Sequence, residues 1–223
     1  MTSKVSLVGM TTPSASTGCS TANELIAYAA RVSNPNNQNN GETAPRLLRY
    51  LIRENHWSPF EMVSVTMEIK TTRDISRQIL RHRSFSFQEF SQRYAESENF
   101  IRNREARVQH ETNRQLSLPT EDNNLQEDWN MLQSSVVNTA KQAYKEALRL
   151  GVAKEQARAL LPEGLTETTL YMAGTLRSWI HYCELRMGHG TQKEHAEVAQ
   201  QCWDILKGHF PDVTKAVEDH YNF

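Results

Sequence analysis

The sequence is poor in cysteine. Its 223 residues include only three, Cys19, Cys183 and Cys202, which are far apart in the chain. An odd number of cysteines without close spacing matches neither a zinc site nor a redox pair. We therefore expect reduced thiols in a cytoplasmic protein.

Long apolar runs and an excess of charge are also missing. The apolar run at residues 5–10 is short, and no stretch approaches the roughly 18 apolar residues of a membrane span. We expect neither export nor membrane insertion. Lys and Arg total 25 against 26 for Asp and Glu. The chain therefore has no strong field for nucleic acid or anionic membranes, and any anion site must be local.

Apolar residues make up only 38% of the chain, which is lean for a core of this size. A chain of this length buries roughly 70% of its unfolded surface and suits one domain better than two. We therefore expect a single domain over residues 1–223, completed by buried cofactor or subunit contacts.

The first third of the chain predicts helices and one strand. Thr21, followed three residues later by Glu24, has the form of a capping box that opens a helix ending before Pro35. A polar loop at 34–45 precedes a helix at 46–55. Apolar and polar residues then alternate over 62–70, which is typical of a half-buried strand in an antiparallel sheet. Residues 74–80 read as helix, and the polar segment 95–119 has no clear period.

The rest of the chain predicts mostly helix. Apolar residues recur at helical spacing from Leu125 to Leu148, and Gly151 can close this helix. A long amphipathic helix is therefore expected over about residues 122–150. Shorter helices are expected at 154–161, 174–187, 191–207 and after Pro211. The predicted fold class is α+β, with a central sheet that contains antiparallel strands and is flanked by helices.

Residues 81–94 carry the densest chemistry, with three arginines, one histidine, three serines and one glutamate in fourteen positions. Arginine forks bind phosphate oxygens in pairs, and serine hydroxyls fill the remaining acceptor positions. A nucleotide phosphate is the natural ligand. If 81–83 is extended, Arg81 and Arg83 point one way and His82 the other, so one tripeptide could hold two ligands.

A second interpretation makes these arginines a solvated face that pairs with nearby glutamates such as Glu89, Glu96 and Glu98. Phenylalanines at 85, 87 and 90 count against it. Aromatic residues interleaved with charges imply partial burial, where a guanidinium is costly unless a ligand or carboxylate meets it.

The run at 81–94 resembles the Arg-His-Arg, Ser, Ser-x-Arg signature of flavin-dependent thymidylate synthases. A match spread over fourteen positions is specific. The resemblance extends to His-Trp-Ser-Pro-Phe-Glu at 56–61, to 157–162 and to 177–186, and it covers the chain from about residue 56 to 195.

The resemblance also implies binding sites. FAD is the implied cofactor, and its contacts would be Ser58, Arg81, His82, Arg83, Glu89, Arg177 and His181, with His56 and Thr175 as further candidates. The implied substrate, deoxyuridine monophosphate (dUMP), would contact Gln78, Arg81, Glu89, Ser91, Arg93, Arg158 and Arg186. Members of the family are similar in being homotetramers whose active sites draw on several subunits.

The implied reaction is the methylation of dUMP to dTMP in thymidylate (dTTP) biosynthesis. Methylenetetrahydrofolate would donate the carbon, and FAD reduced by NADPH would carry the hydride. Uracil C5 becomes nucleophilic after addition at C6 or after loss of the N3 proton. No cysteine has an activating context, and no His-Asp pair supports Ser91 as a nucleophile, so we expect Ser91 to donate a hydrogen bond. We expect Arg186 to be catalytic by stabilising negative charge at N3.

One expectation does not depend on the family. In a helix over 174–187, Arg177 and His181 share a face, whereas Arg186 lies about half a turn around. A helix at a subunit interface could serve two pockets, which favours a site built by several subunits. The plainer alternative is a surface arginine and an ordinary helix histidine.

The sequence departs from the family pattern at three places. Thr175 stands where Asn is common, Met62 stands where His is common, and Gly190, Thr191 and Gln192 replace the usual His-Ala-Gln, with His189 next to them. These departures bear on cofactor affinity and on the folate-side contacts.

Two other functions compete with this one. Nine arginines between Arg73 and Arg114 could line a groove for single-stranded nucleic acid, although six acidic residues in the same window weaken that interpretation. His181, His189 and His195 could bind a metal, but spacings of eight and six do not share a helical face, so we expect no metal.

Overall fold

The computed structural model describes residues 3–97, 100 and 103–221. The strands are β1 (Lys4–Met10), β2 (Ser64–Thr72), β3 (Ser86–Glu89), β4 (Arg107–Gln109), β5 (Ser117–Pro119) and β6 (Glu167–Thr175). The helices are α1 (Ala22–Ala30), α2 (Ala44–Arg53), α3 (Arg73–Ile79), α4 (Asn123–Arg149), α5 (Lys154–Ala157), α6 (Leu176–Met187), α7 (Lys193–His209) and α8 (Pro211–Tyr221). Short 3-10 helices lie at Ala15–Thr17, Pro35–Asn37, Ser58–Met62, Arg158–Leu160 and Glu163–Leu165.

Four strands form an antiparallel sheet in the order β1-β2-β6-β3. β2 pairs with β6 along its whole length, from Ser64 opposite Thr175 to Thr72 opposite Glu167. The expected antiparallel sheet and α+β class are confirmed, although β2 runs from 64 to 72 rather than from 62 to 70.

One face of the sheet is buried under helices. Val65, Met67 and Ile69 of β2 are buried, while the residues between them are more exposed. They share a core with Trp179 of α6 and Trp203 of α7. The half-buried pattern read from the sequence is therefore confirmed. The same core holds α6 against the sheet.

The first helices form close to their expected places. Oγ1 of Thr21 accepts the backbone N–H of Glu24 at 3.2 Å. The Glu24 carboxylate accepts the backbone N–H of Ser20 at 2.6 Å, so the cap closes one residue earlier than in a standard capping box. α1 ends before Pro35, and α2 begins at Ala44, two residues before the expected start.

The structure adds strands that the sequence analysis missed. β6 occupies residues that were unassigned or were expected to begin a helix at 174, so α6 begins at 176 instead. The apolar run at 5–10 belongs to β1, and the segment without a clear period contains the β4–β5 hairpin. Glu98 lies outside the described residues.

The long helix is confirmed as α4. Oδ1 of Asp122 caps it by accepting the backbone N–H of Leu125 at 3.1 Å, and Gly151 follows it with φ of +87°. Only part of its apolar stripe is covered by this chain: Tyr144 is buried, whereas Leu132 is 62% and Val136 is 50% exposed. None of the described helices is long and apolar enough to cross a membrane.

Candidate active site

The Arg-rich segment is a turn between α3 and β3, not an extended tripeptide. The backbone N–H of His82 donates to the carbonyl of Ile79 at 3.0 Å, and that of Phe85 donates to the carbonyl of His82 at 3.3 Å. Arg81 and Arg83 are exposed, whereas His82 is half-buried. The predicted division between arginines and histidine is present, but a turn rather than strand alternation produces it.

Phe85 anchors this turn to α6. Its ring centroid lies 4.9 Å from that of Trp179 and 6.0 Å from that of Tyr182, both in edge-on contact. A Cβ at Gly174 would lie 2.5 Å from Cδ1 of Phe85, so β6 carries a glycine where this ring presses on it. The partial burial expected for the motif is confirmed at Phe85 and Phe87, whereas the third phenylalanine of the motif is exposed.

His82 faces the predicted catalytic arginine. Nε of Arg186 donates to Nε2 of His82 at 2.8 Å. Burial, followed by the positive charges of Arg186 and its neighbours, lowers the pKa of His82 to about 4. His82 is therefore a neutral acceptor at physiological pH, and it fixes the guanidinium of Arg186 through Nε.

A second histidine lies beneath this pair. The ring centroids of His195 and His82 are 6.3 Å apart, and Nε2 of His195 lies 3.1 Å from the hydroxyl of Tyr182. Nδ1 of His195 lies 3.2 Å from Oε1 of Gln78, a predicted substrate contact. Sequence reasoning considered His195 only as a metal ligand and missed Tyr182, because neither has a local signal for this arrangement.

An open cavity of about 370 Å³ lies beside the first turns of α6. Arg177 and His181 both line it, which confirms their shared helical face. Trp57 and Tyr221, which sequence reasoning missed, form an aromatic wall with ring centroids 6.5 Å apart and planes 21° from parallel. Arg186 contacts His82 instead, so α6 presents its two groups of predicted residues to different surroundings.

Glu61 organises the polar side of this cavity. Oγ1 of Thr175 donates to Oε2 of Glu61 at 2.7 Å, and Nη1 of Arg177 donates to Oε1 at 2.8 Å. The Thr175 hydrogen bond lowers the pKa of Glu61 most, burial opposes it, and Arg177 lowers it further. Oγ1 of Thr175 also caps α6 by accepting the backbone N–H of Ser178 at 3.3 Å. The hydroxyl of Thr175 is therefore engaged by Glu61 and Ser178 of the same chain. Ser58 lies in the same short helix as Glu61, and both Ser58 and His56 are exposed.

Glu89 is engaged by its own chain. Its Oε1 accepts Oγ of Ser76 at 2.8 Å and Oγ1 of Thr168 at 3.0 Å. Nη1 of Arg73 lies 3.7 Å from the same oxygen, and Nη1 of Arg77 lies 3.9 Å from Oε2. Glu89 is a predicted ligand contact, and its Oε2 therefore has fewer partners within the protein than its Oε1.

Arg93 and Arg158 meet at Glu155. Nη2 of Arg93 lies 3.3 Å from Oε2 of Glu155, and Nε of Arg158 donates to the backbone carbonyl of the same residue at 3.2 Å. Ser91 is exposed. Among the described residues, no hydrogen bond or ion pair joins this group to Arg186, so the predicted dUMP contacts form separate groups within one chain.

Several of the arginines between Arg73 and Arg114 form ion pairs with carboxylates of the same chain. Ion pairs hold Arg77 to Glu163, Arg93 to Glu155, Arg104 to Asp74 and Arg107 to Glu194. These pairs count against a nucleic-acid groove. Arg81 and Arg83 have no carboxylate partner in the part of the chain that the structure describes, which leaves both open to an anion.

The three histidines considered for a metal do not converge. His181 lies 3.8 Å from Glu184, and both ring nitrogens of His195 have protein partners. Within residues 3–97, 100 and 103–221, no group of three His, Cys, Asp or Glu side chains is arranged to hold a metal ion.

The sequence and the fold match known proteins. The family model described as thymidylate synthase complementing protein matches residues 16–212. The chain belongs to the flavin-dependent thymidylate synthase family. A probable flavin-dependent thymidylate synthase of Paramecium bursaria Chlorella virus 1 is 51% identical over 201 residues, which cover 90% of this chain and 93% of the viral protein. The flavin-dependent thymidylate synthase of Synechocystis is 52% identical over 197 residues, covering 87% and 88%.

A solved structure with a similar fold contains a bound nucleotide. The UMP/dUMP methylase PolB from Streptomyces cacaoi, in its crystal structure bound with 5-Br dUMP, has a TM-score of 0.84 to this chain. It is 26% identical and the match covers 99% of this chain and 96% of PolB. The family and enzyme class implied by the Arg-rich motif are therefore confirmed.

Proposed function

We propose that this enzyme methylates dUMP to dTMP, with methylenetetrahydrofolate as carbon donor, FAD as hydride carrier and NADPH as electron source. In the overall reaction, dUMP, methylenetetrahydrofolate, NADPH and a proton yield dTMP, tetrahydrofolate and NADP⁺. The names of the viral and cyanobacterial relatives support the flavin and the reaction, and PolB bound with 5-Br dUMP supports the substrate.

The hydrogen bond from Arg186 to His82 is the observation that carries the proposal. It engages Nε and leaves Nη1 and Nη2 without a protein partner among the described residues. Two parallel N–H groups match the N3 and carbonyl-oxygen edge of a uracil ring that is losing its N3 proton. Arg186 therefore stabilises the negative charge that activates C5.

The cysteines favour this route over covalent addition at C6. Cys183 and Cys202 are completely buried, and burial raises the pKa of both thiols. A thiol in that environment is a poor nucleophile. Sγ of Cys19 contacts the backbone carbonyl of Thr17 near the N-terminus. All three cysteines are free, in keeping with the cytoplasmic location that we propose.

The residues around the α6 cavity fit a flavin dinucleotide. Trp57 and Tyr221 offer an aromatic wall within the cavity. Arg81 and Arg83 belong to the same turn as Ser84, which lines the cavity, and their exposed guanidiniums suit a pyrophosphate. We assign the flavin to Ser58, Arg81, His82, Arg83, Glu89, Arg177 and His181, with His56 and Thr175 at its margin. When bound, the flavin supplies the hydride that completes the methyl group.

A homotetramer with shared active sites completes the proposal. The exposed apolar stripe on α4, which includes Leu132 and Val136, is a surface that a second copy can cover. The separation of Arg93 and Arg158 from Arg186 within one chain is what a site built from several subunits requires.

Visible absorption of the purified protein tests the proposal directly. We expect bound flavin to give a yellow protein whose spectrum changes when dUMP is added, and we expect dTMP to form with methylenetetrahydrofolate and NADPH. A colourless protein that binds single-stranded nucleic acid with a steep salt dependence would instead support the nucleic-acid interpretation.

A further inference from the structure

A line of side-chain hydrogen bonds, here called the amide chain, runs through Arg107, Glu194, Gln192, Gln78, His195 and Tyr182. At one end, Nη2 of Arg107 donates to Oε1 of Glu194 at 2.6 Å. Nε2 of Gln192 donates to Oε2 of the same carboxylate at 2.9 Å, and Nε2 of Gln78 donates to Oε1 of Gln192 at 2.8 Å. The amide chain therefore links the β4–β5 hairpin to α7 and α3.

The other end of the amide chain lies beneath the predicted catalytic pair. Oε1 of Gln78 is 3.2 Å from Nδ1 of His195, whose Nε2 is 3.1 Å from the hydroxyl of Tyr182. The ring of Tyr182 meets that of His82 edge-on at 4.9 Å. The hydrogen bonds of Gln78 thus join the buried His195 on one side to the half-buried Gln192 on the other.

The residues at the Arg107 end determine which group donates and which accepts in each hydrogen bond of the amide chain. Arg107 has only donors, and an ionised carboxylate has only acceptors. Burial raises the pKa of Glu194, but hydrogen bonds from Arg107, from a backbone N–H and from Gln192 lower it below its ordinary value. Because Glu194 is ionised, Gln192 must present its NH₂ group to it and its carbonyl to Gln78.

The same logic fixes the next two members. Since the carbonyl of Gln192 faces Gln78, the NH₂ group of Gln78 faces Gln192 and its carbonyl faces His195. His195 must then carry its proton on Nδ1, and its Nε2 accepts the hydroxyl of Tyr182. Burial, followed by the charges of Arg186 and His82, lowers the pKa of His195 to about 3, so the ring is neutral and only its tautomer can vary.

We propose that Glu194, held by Arg107, fixes Gln78 as a hydrogen-bond donor toward the substrate. The carbonyl of Gln78 is occupied by His195, and one N–H of Nε2 is occupied by Gln192. The second N–H has no partner among the described residues and binds an acceptor oxygen of the nucleotide, from its phosphate or a pyrimidine carbonyl. An amino group at that position is rejected.

This inference rests on the proposed function, in which Gln78 contacts dUMP. It adds a specificity-determining role for Gln78 and positioning roles for Arg107, Glu194 and Gln192. A fixed donor discriminates more strongly than a carboxamide that is free to turn over, because the wrong ligand leaves a buried polar group unpaired.

The tautomer of His195 in the wild-type holoenzyme is the first test. Spectra of enzyme labelled with ¹⁵N in its histidines distinguish a protonated from an unprotonated ring nitrogen, and the His195→Gln variant identifies the signals. We expect protonated Nδ1 and unprotonated Nε2. The opposite tautomer would overturn the inference even if the enzyme makes dTMP, and the tautomer itself is read from the wild-type enzyme.

The Glu194→Gln variant should exchange donors and acceptors along the amide chain. Arg107 still requires an oxygen, so the new carboxamide turns its NH₂ group toward Gln192, which reverses Gln192 and Gln78 in turn. We expect His195 to move its proton to Nε2. The KM for dUMP should rise by roughly tenfold or more, with a smaller change in kcat, because an acceptor replaces the donor that faces the substrate oxygen.

Glu197→Gln is the matched control, since Glu197 lies on the same helix but outside the amide chain. It should keep both the wild-type tautomer and the wild-type KM. An unchanged tautomer in Glu194→Gln, or an equal change in Glu197→Gln, would contradict the inference. An enzyme with the expected tautomer that does not bind dUMP would overturn the proposed function and the substrate role of Gln78, while supporting the direction of the chain.

Discussion

Arg186 and His82 are 104 positions apart in the sequence, yet Nε of Arg186 and Nε2 of His82 share a 2.8 Å hydrogen bond. A guanidinium only donates, so His82 must present an unprotonated Nε2. This orients the rest of the guanidinium without using its two terminal nitrogens, and it links the family's Arg-rich turn to α6.

Replacing Arg186 with Ala should abolish most of the turnover while leaving flavin bound. The loss of a charge that stabilises the transition state costs about 10²- to 10³-fold in kcat. The measurements are dTMP formation and the flavin absorption spectrum of the same preparation. Arg53→Ala is the control, because Arg53 is exposed and pairs only with its neighbour Glu54 among the described carboxylates. Retained turnover in Arg186→Ala would remove Arg186 from the mechanism.

Folding stability should fall as the pH is lowered from about 6.5 to about 4. His82 and His195 have folded-state pKa values of about 4 and about 3, depressed from the ordinary value of 6.5. In this window the unfolded chain takes up protons that the folded chain does not, so stability present above pH 6.5 is progressively lost. Thermal melting between about pH 7.5 and about pH 5 measures the effect, above the range in which Glu61 and Glu194 titrate.

The His195→Gln variant should show a shallower fall of melting temperature over the same pH range, because one of the two depressed histidines is gone. His209→Gln, at the exposed end of α7, should keep the wild-type slope. Parallel profiles for wild type and His195→Gln would contradict the assignment of this pH dependence to the buried histidines.

Gly174→Ala should destabilise the fold by about 1–3 kcal/mol, because the added methyl group overlaps the ring of Phe85. The new Cβ would lie 2.5 Å from Cδ1 of Phe85, which is already packed against Trp179. Gly208→Ala, inside α7 with nothing within 4 Å, should instead stabilise by about 0.5–1 kcal/mol. Urea unfolding of both variants gives the comparison, and equal effects would show that the Phe85 contact is not tight.

Charges on the exposed stripe of α4 should separate the subunits. We expect the Leu132→Glu, Val136→Glu double variant to sediment as smaller species and to lose activity, because buried unpaired carboxylates are costly in an apolar interface. Asn138→Glu, two residues further along on another face of the helix, should sediment as the wild-type protein does. A wild-type protein that sediments as a monomer would overturn the shared-site proposal.

Much of the local structure could be predicted because its signals lie close together in the sequence. The capping box at Thr21 and Glu24, the alternation along β2 and the stripe of α4 depend on neighbours a few residues away. β6 was missed because its buried face carries Thr168 and Gly174 along with Leu170 and Met172, which weakens the apolar alternation.

The sequence by itself determined the family and the fold class, and it supplied the candidate site residues, since these are written as motifs and short periods. Only the tertiary structure decided what those residues contact. The pairing of β2 with β6 brings α6 against the turn at 81–85, and that contact makes His82 a neutral partner of Arg186. The contact of Arg107 with Glu194 of α7 sets the direction of the amide chain at Gln78. Hydrogen-bond direction and burial are properties of groups that meet from distant segments, so no local pattern encodes them.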